Sequence, residues 1–180
     1  MHPLKMAYVM DPIESININK DSTFAMMEEA QTRGHLNFYL QPTDLFFRSQ
    51  RTYAYMQNIQ VQRQDIFYTL KEKQVLSLSE MDAVLMRKDP PFNIDYIFST
   101  YLQELVQKET LLINRPQGLR DANEKLYALK FPSLIPDTLV TSQKETLKAF
   151  IKEVGTAILK PIDDRGGGGK GLPGDCQLRS

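Results

Sequence analysis

The residues best suited to chemistry lie near the end of the chain, where a lysine stands between an apolar run and a run of glycines. Residues 157–160 read AILK, and Gly166 begins four successive glycines. Glycine N–H groups can approach an anion closely, and a lysine supplies charge that attracts phosphate oxygens. Lys160, Gly166 and Gly167 therefore form a candidate phosphate site, although the spacing is not that of the phosphate loop GxxxxGK[ST]. A plain flexible loop explains the same residues without a ligand.

A second candidate is the turn that follows the apolar run 83–86 and reads MRKDPP. Arg87 and Lys88 place two cations beside a stiff double proline, and a guanidinium can bind a carboxylate or a phosphate through two hydrogen bonds. Ligands of α/β proteins commonly bind at the ends of strands. The turn is thus a candidate binding site for an anionic substrate, with an exposed ion-paired turn as the alternative.

A polar loop follows the first apolar run and offers further candidate ligands. Its polar residues are Asn17, Asn19, Lys20, Asp21 and Ser22. The loop lacks GxGxxG, which disfavours a dinucleotide site of the Rossmann type. A polar loop that binds nothing is the alternative.

Lys125 is a weaker candidate, because a lysine among polar residues on a helix is by itself expected to be a solvated surface residue. His2 and His35 are too isolated in sequence to suggest a metal site or an acid–base pair.

The elements that position these residues alternate between strands and helices. Residues 4–10 predict a strand, Asp21 and Ser22 can cap a helix that ends at Gly34, and residues 35–40 predict a second strand. This order makes one βαβ unit and implies a parallel sheet. Residues 45–78 predict inserted strands and loops, including strands at 52–61 and 66–70.

Further along, residues 83–86 and 111–114 predict strands, with a helix between them at 94–108. Its apolar residues recur with a period of 3.6, so we expect them to pack on the sheet. They are Ile97, Phe98, Tyr101, Leu102, Leu105 and Val106.

The remaining predictions are a helix at 121–129, a strand at 138–140, a helix at 142–154 and a strand at 156–160. The fold class is α/β, and residues 116–121 are the candidate domain boundary.

Bulk composition describes an ordinary globular chain. Apolar residues make up 42% and charged residues 24%, and 22 basic residues balance 22 acidic ones. This balance argues against a nucleic acid or an anionic membrane as a partner. No apolar run approaches the roughly 20 residues needed to cross a membrane, so no membrane-spanning segment is expected. A single cysteine, Cys176, excludes an internal disulfide and fits a reducing cytoplasm.

Four motifs occur together in order and carry a resemblance. They are VMDPIESININKDSTFAMMEEAQTRG at 9–34, VLMRKDPPF at 84–92, LLINRPQGLRDANEKLYAL at 111–129 and AILKPIDDRGG at 157–167. Together they resemble the prokaryotic glutathione synthetases of the ATP-grasp superfamily. The resemblance implies a Rossmann-like, pre-ATP-grasp substrate domain at residues 1–120, the start of an ATP-grasp module at 121–167 and a divergent, disordered tail at 168–180.

The same resemblance implies the ligands and their residues. In the family, ATP phosphorylates γ-glutamylcysteine, and glycine attacks the acyl phosphate to give glutathione, with Mg²⁺ assisting. Lys125, Lys160, Gly166 and Gly167 resemble ATP-binding residues. Arg87, Asn17, Asn19, Lys20, Asp21 and Ser22 resemble residues near the dipeptide. The family also implies a cytoplasmic protein that can form homo-oligomers.

The departure from the family comes after Gly167, where the chain reads GGKGLPGDCQLRS. No strand is predicted there, and neither catalytic residues nor magnesium ligands are assigned within the chain. The expectation is therefore an incomplete ATP-grasp module that does not complete ligation. The alternative function is a non-catalytic module that binds a small peptide or mediates oligomerisation.

Overall fold

The computed structural model describes residues 2–89, 91–123 and 125–162, together with the backbone of residues 170–173. It divides into two compact units, Met1–Asp121 and Ala122–Ser180. None of the helices in the described part of the chain is both long and apolar enough to span a membrane.

The first unit begins with the predicted βαβ unit. Its elements are β1 (Lys5–Val9), α1 (Ser22–Thr32) and β2 (Leu36–Leu40). The two strands run parallel, with Tyr8 opposite Tyr39. The side chain of Asp21 caps α1 by accepting a hydrogen bond from the backbone N–H of Phe24 at 2.8 Å. Gly34, with φ of +79°, follows the helix in the left-handed region that glycine tolerates best.

The rest of the first unit extends this sheet on both sides. The further elements are β3 (Leu45–Arg48), β4 (Arg51–Val61), β5 (Tyr68–Ser77), β6 (Ala83–Met86), α2 (Ile94–Glu104), β7 (Leu111–Ile113) and α3 (Pro116–Asp121). The strand order is β3-β4-β2-β1-β6-β7, with β5 paired to β4.

The expectation of a parallel sheet is correct for only part of it. β2, β1, β6 and β7 are parallel, whereas β3, β4 and β5 pair antiparallel. The reason is the short connection between β3 and β4, where Ser49 and Gln50 both have positive φ. Such a tight turn reverses the chain and can only join antiparallel neighbours. The predicted strand at 66–70 is also longer in the structure, as β5.

Strand β5 is ten residues long and is paired with β4 alone among the described strands. Its central residues, Lys71, Glu72 and Lys73, are exposed. Lys73 forms an ion pair of 3.0 Å with Asp44. The outer border of the sheet therefore carries charge.

Two apolar clusters lie on the two faces of the sheet. One contains Phe24 and Met27 of α1 together with Tyr8, Tyr39 and other strand residues. The other is lined by strand residues such as Val84, by Val106 and by the partly buried Leu102 of α2. The strand ends that carry the candidate site are therefore fixed by packing on both faces.

Helix α2 is shorter than the predicted span of 94–108, and only part of its predicted apolar face packs on the core. Of the residues expected to pack on the sheet, Phe98, Tyr101 and Leu105 are more than half exposed. The buried positions of the helix are instead Ser99, Thr100 and Gln103. The period was predicted correctly, and Leu102 and Val106 do pack against the core, so the predicted face is only partly turned inward.

The second unit contains α4 (Lys144–Val154), β8 (Thr156–Leu159) and β9 (Lys170–Pro173). β8 and β9 pair antiparallel, so the expectation that no strand follows Gly167 was wrong. The predicted helix at 121–129 was also wrong, because α3 ends at Asp121 and residues 127–130 form a 3-10 turn. Residues 138–140, predicted as a strand, have no regular structure.

Candidate functional site

Arg87 stands at the carboxyl end of β6 and links that strand to the start of α1. Its backbone N–H donates to the carbonyl of Val9 at 2.7 Å, which continues the pairing with β1. Its Nε donates to Thr23 Oγ1 at 3.0 Å, and its Nη2 donates to Ser22 Oγ at 2.7 Å. These hydroxyls are neutral, so the two hydrogen bonds orient the guanidinium without cancelling its charge.

The residues that follow Arg87 are tied to the end of β1. Lys88 forms an ion pair of 2.8 Å with Asp11, and the backbone N–H of Asp89 donates to the other carboxylate oxygen of Asp11 at 2.9 Å. Both side chains of the ion pair are partly buried. For Lys88 the structure thus agrees with the ion-paired alternative, and the pair brings the ends of β1 and β6 together.

Tyr96 of α2 lies close enough to Arg87 for the two side chains to interact electrostatically. Burial raises the pKa of the Tyr96 hydroxyl, and the positive charge of Arg87 opposes part of that rise. The Tyr96 ring also contacts Phe92, with ring centroids 4.9 Å apart. Tyr96 therefore adds a partly buried hydroxyl to the surroundings of the Arg87 guanidinium.

The polar loop before α1 is organised mainly by its own hydrogen bonds. The backbone N–H groups of Lys20 and Asp21 both donate to the carbonyl of Asn17 at 2.9 Å, and the side chain of Asn17 accepts from the N–H of Asn19 at 3.1 Å. Among the candidates in this loop, Ser22 contacts Arg87 and Asp21 caps the helix. Asn17, Asn19 and Lys20 are exposed.

Two residues of this site, Asp11 and Thr23, were not among the candidates from the sequence. Thr23 is only 2% exposed, although it accepts a hydrogen bond from the Arg87 guanidinium. Asp11 directly follows the predicted first strand, and a carboxylate at the end of a strand was a signal that could have identified it.

In the second unit, the two candidate lysines belong to segments that meet at the end of β8. Lys160 directly follows β8 and is exposed. Lys125 Nζ donates to the carbonyl of Pro161, the next residue, at 2.5 Å. The backbone N–H groups of Lys125 and Leu126 both donate to Asn123 Oδ1 at 3.0 Å, which holds Lys125 in a turn. Gly166 and Gly167 lie outside the described residues.

A magnesium ion requires several oxygen ligands gathered around one point. Over the residues that the structure describes, no three His, Cys, Asp or Glu side chains come together in a way that could hold a metal ion. By themselves, the described residues therefore do not form a magnesium site.

Comparison with known proteins gives two family matches. Residues 4–120 match the model for the N-terminal domain of prokaryotic glutathione synthetase, and residues 124–172 match the model for its ATP-grasp domain.

Individual relatives agree with these matches. The chain is 48% identical over 166 residues to glutathione synthetase from Vibrio parahaemolyticus, an alignment covering 91% of this chain and 52% of the relative. The corresponding protein of Vibrio cholerae is 47% identical over the same shares of both chains. That of Salmonella typhimurium is 45% identical, over 91% of this chain and 53% of the relative. The chain thus spans about half the length of the curated relatives it matches.

Proposed function

Because this chain belongs to the prokaryotic glutathione synthetase family, we propose that it provides part of a cleft for the ATP-dependent ligation of γ-glutamylcysteine and glycine. In this proposal, residues 1–120 are the substrate domain and residues 121–167 begin the ATP-grasp domain. Residues 168–180 are a divergent tail, of which β9 pairs with β8. The small molecules are its partners, the cytoplasm is its compartment, and Mg²⁺ would neutralise phosphate charge in the whole reaction.

The chemical difficulty in such a reaction is that a carboxylate is a poor electrophile. Transfer of a phosphoryl group to the dipeptide carboxylate makes an acyl phosphate, which the amine of glycine can then attack with loss of phosphate. Both the carboxylate and the polyphosphate carry negative charge, so cations that hold them close together without water lower the barrier. The proposed residues of this chain contribute such cations.

Arg87 supports the dipeptide side of the proposal. Its guanidinium lies at the carboxyl end of a parallel strand, where α/β proteins bind ligands, and is oriented by the hydroxyls of Ser22 and Thr23. We assign it to a carboxylate of the dipeptide, since the fork of N–H donors matches that group. Asn17, Asn19, Lys20, Asp21 and Ser22 would form the polar border of this site, with Asp21 acting through the helix cap.

Lys125 and Lys160 support the nucleotide side. The hydrogen bond from Lys125 to Pro161 brings the first lysine to the segment that carries the second. Two ammonium groups at one strand end suit the oxygens of a polyphosphate. Gly166 and Gly167 are assigned to the same phosphates on the basis of the family resemblance.

Binding of the dipeptide is tested by isothermal titration calorimetry with the full chain and γ-glutamylcysteine. Arg87→Lys should weaken binding about tenfold or more, because the ammonium keeps the charge but loses the forked hydrogen bonds. Arg33→Lys is the matched control, since Arg33 follows the other end of α1 and pairs with Glu29 on the surface. Equal affinity of the Arg87→Lys variant and the unaltered chain would contradict the assignment.

Binding of the nucleotide is tested separately, by titrating the full chain with ATP. Lys160→Ala and Lys125→Ala should each weaken binding about tenfold, because each removes a charge-assisted contact. Lys152→Ala is the control, since Lys152 is an exposed lysine of α4 in the same unit. The proposal fails for the lysines if all three variants bind ATP equally well.

The second candidate function is a non-catalytic module that self-associates. The family resemblance implies homo-oligomers, and the exposed apolar side chains of α2 favour this alternative.

A further inference from the structure

Two arginines of the first unit stand at the same edge of the sheet and have no acidic partner. Arg33, Arg63 and Arg120 each form an ion pair with a glutamate. Within the part of the chain that the structure describes, neither Arg87 nor Arg115 forms such a pair. A guanidinium at a strand end without a counter-charge can form charge-assisted hydrogen bonds with an anionic ligand.

The register of two neighbouring strands places these arginines side by side. β6 and β7 run parallel, with Leu85 opposite Ile113. Arg87 follows Leu85 by two residues, and Arg115 follows Ile113 by two residues. Both arginines therefore lie just beyond the carboxyl ends of adjacent strands, which are about 4.8 Å apart in a sheet. This is the edge at which α/β sheets bind ligands.

Helix α3 holds the backbone of Arg115. Arg115 directly precedes α3, and its carbonyl accepts a hydrogen bond from the backbone N–H of Leu119 at 3.1 Å. Pro116, the first residue of the helix, is buried. Arg115 itself is exposed. A fixed backbone thus carries a guanidinium that a ligand can reach from solvent.

The sheet face that α1 covers elsewhere is open at β7. Ala83 and Leu85 of β6 are 7% and 5% exposed in the cluster beneath α1. The residues opposite them on β7, Leu111 and Ile113, are 62% and 40% exposed. Residues directly opposite each other in a parallel pair share a face, so β7 adds an uncovered apolar strip that leads to Arg115. Such a strip suits the carbon skeleton of a small ligand.

The cation next to Arg87 in the sequence is already neutralised. Lys88 forms its ion pair of 2.8 Å with Asp11. The positive charge that remains at the ends of β6 and β7 therefore comes from Arg87 and Arg115, and each guanidinium can form a forked pair with one carboxylate. A ligand with a single carboxylate would leave one of these two cations without a counter-charge.

We propose that Arg87 and Arg115 form a site for a small dicarboxylate, in which each guanidinium binds a different carboxylate. The inference rests on the proposed function, which assigns Arg87 to one carboxylate of γ-glutamylcysteine and leaves the other without a partner. The dipeptide carries one carboxylate on its glutamyl residue and one on its cysteine. Arg115 is thus a specificity-determining residue that favours this dipeptide over ligands with a single carboxylate.

Isothermal titration calorimetry of the full chain with γ-glutamylcysteine tests the role of Arg115. Arg115→Gln should weaken binding about tenfold, because a charge-assisted contact is lost. Arg48→Gln is the matched control and should bind normally. Arg48 is exposed and has no ion pair among the described residues, and its strand β3 lies at the opposite end of the strand order from β7. Equal affinities of the Arg115→Gln variant and the unaltered chain would overturn the inference.

The cysteine amide of γ-glutamylcysteine, in which one carboxylate is neutral, tests whether the two arginines bind different groups. With this ligand, one of the substitutions Arg87→Lys and Arg115→Gln should no longer weaken binding, whereas the other should keep its effect of about tenfold. The inference is overturned if both substitutions, or neither, lose their effect.

The same titrations separate failure of this inference from failure of the proposed function. If Arg87→Lys leaves the affinity for γ-glutamylcysteine unchanged, the assignment of the dipeptide to this edge is wrong, and the inference is wrong with it. If Arg87→Lys weakens binding but Arg115→Gln does not, the proposed function stands and the dicarboxylate site alone is wrong. Circular dichroism of each variant verifies that it is folded.

Discussion

The two units of this chain differ in how they hold their candidate cations. In the first unit, buried apolar side chains line both faces of the sheet, and Arg87 extends from a strand within it. In the second, Ile151 is the one apolar side chain found buried among the residues described there. Arg87 is therefore positioned by a packed core, whereas Lys125 is held by hydrogen bonds to Asn123 and Pro161.

The largest effect expected from this difference is on stability. Phe24→Ala should lower the free energy of unfolding of the first unit by about 3–5 kcal/mol, because Phe24 is fully buried in the cluster beneath α1. Urea unfolding, combined with hydrogen exchange of the amides in β1 and β2, measures this loss of unfolding free energy.

Ile151→Ala provides the matched comparison in the second unit, since Ile151 is 3% exposed. It should increase exchange in α4 while leaving the protection of β1 and β2 unchanged. If protection of β1 and β2 fell as much as in Phe24→Ala, the two units would share one cooperative core and the comparison would be wrong.

The next largest effect is a difference in how much two ion pairs, one in each unit, contribute to stability. Arg120→Ala should destabilise the first unit by about 2–3 kcal/mol, because the partly buried Glu104 loses its partner and Tyr101 loses its cation. Thermal unfolding gives the difference. Lys148→Ala removes a pair with the exposed Glu145 of α4 and should leave stability within experimental error. A large effect of Lys148→Ala would contradict the expected contrast.

The smallest effect concerns Tyr8, whose buried hydroxyl has no hydrogen-bond partner among the described residues. Burial raises its pKa from 10.0 to about 12. Between pH 10 and 12 the native state therefore keeps a proton on Tyr8 that the unfolded state loses. The contribution of Tyr8 to the free energy of unfolding is complete below pH 10 and decreases as the pH rises towards 12.

Unfolding free energies of the unaltered chain and of Tyr8→Phe, measured on either side of pH 10, test this pKa shift. The unaltered chain should lose up to about 1.4 kcal/mol more than the variant for each pH unit between pH 10 and the folded-state pKa of about 12. Parallel pH profiles of the two proteins would show that Tyr8 titrates normally.

Local signals in the sequence predicted the first βαβ unit well. Asp21 and Gly34 delimit α1 because a cap and a left-handed glycine depend on nearby residues. Local chemistry also explains one error. Asn123 accepts from the backbone N–H groups of Lys125 and Leu126, which favours a turn over the predicted helix.

The remaining errors and omissions depend on distant residues. The period of α2 predicted a helix that packs on the sheet, but hydrogen bonds from Thr52 and Arg120 help determine the rotation that leaves Phe98 and Tyr101 exposed. The partner of Lys88 is Asp11, 77 positions earlier, and no pattern within the turn identifies it. Arg87 was found from its position after a strand, whereas its contact with Thr23 required the assembled sheet.

The charged border of the sheet has a consequence for the behaviour of the chain at high concentration. β5 presents a long run of backbone groups through which separate molecules could join strand to strand into insoluble fibres. Lys71, Glu72 and Lys73 occupy the middle of that run, so an incoming strand would have to remove them from water or match their charges. The charges in the middle of β5 therefore oppose strand-to-strand association at this border of the sheet.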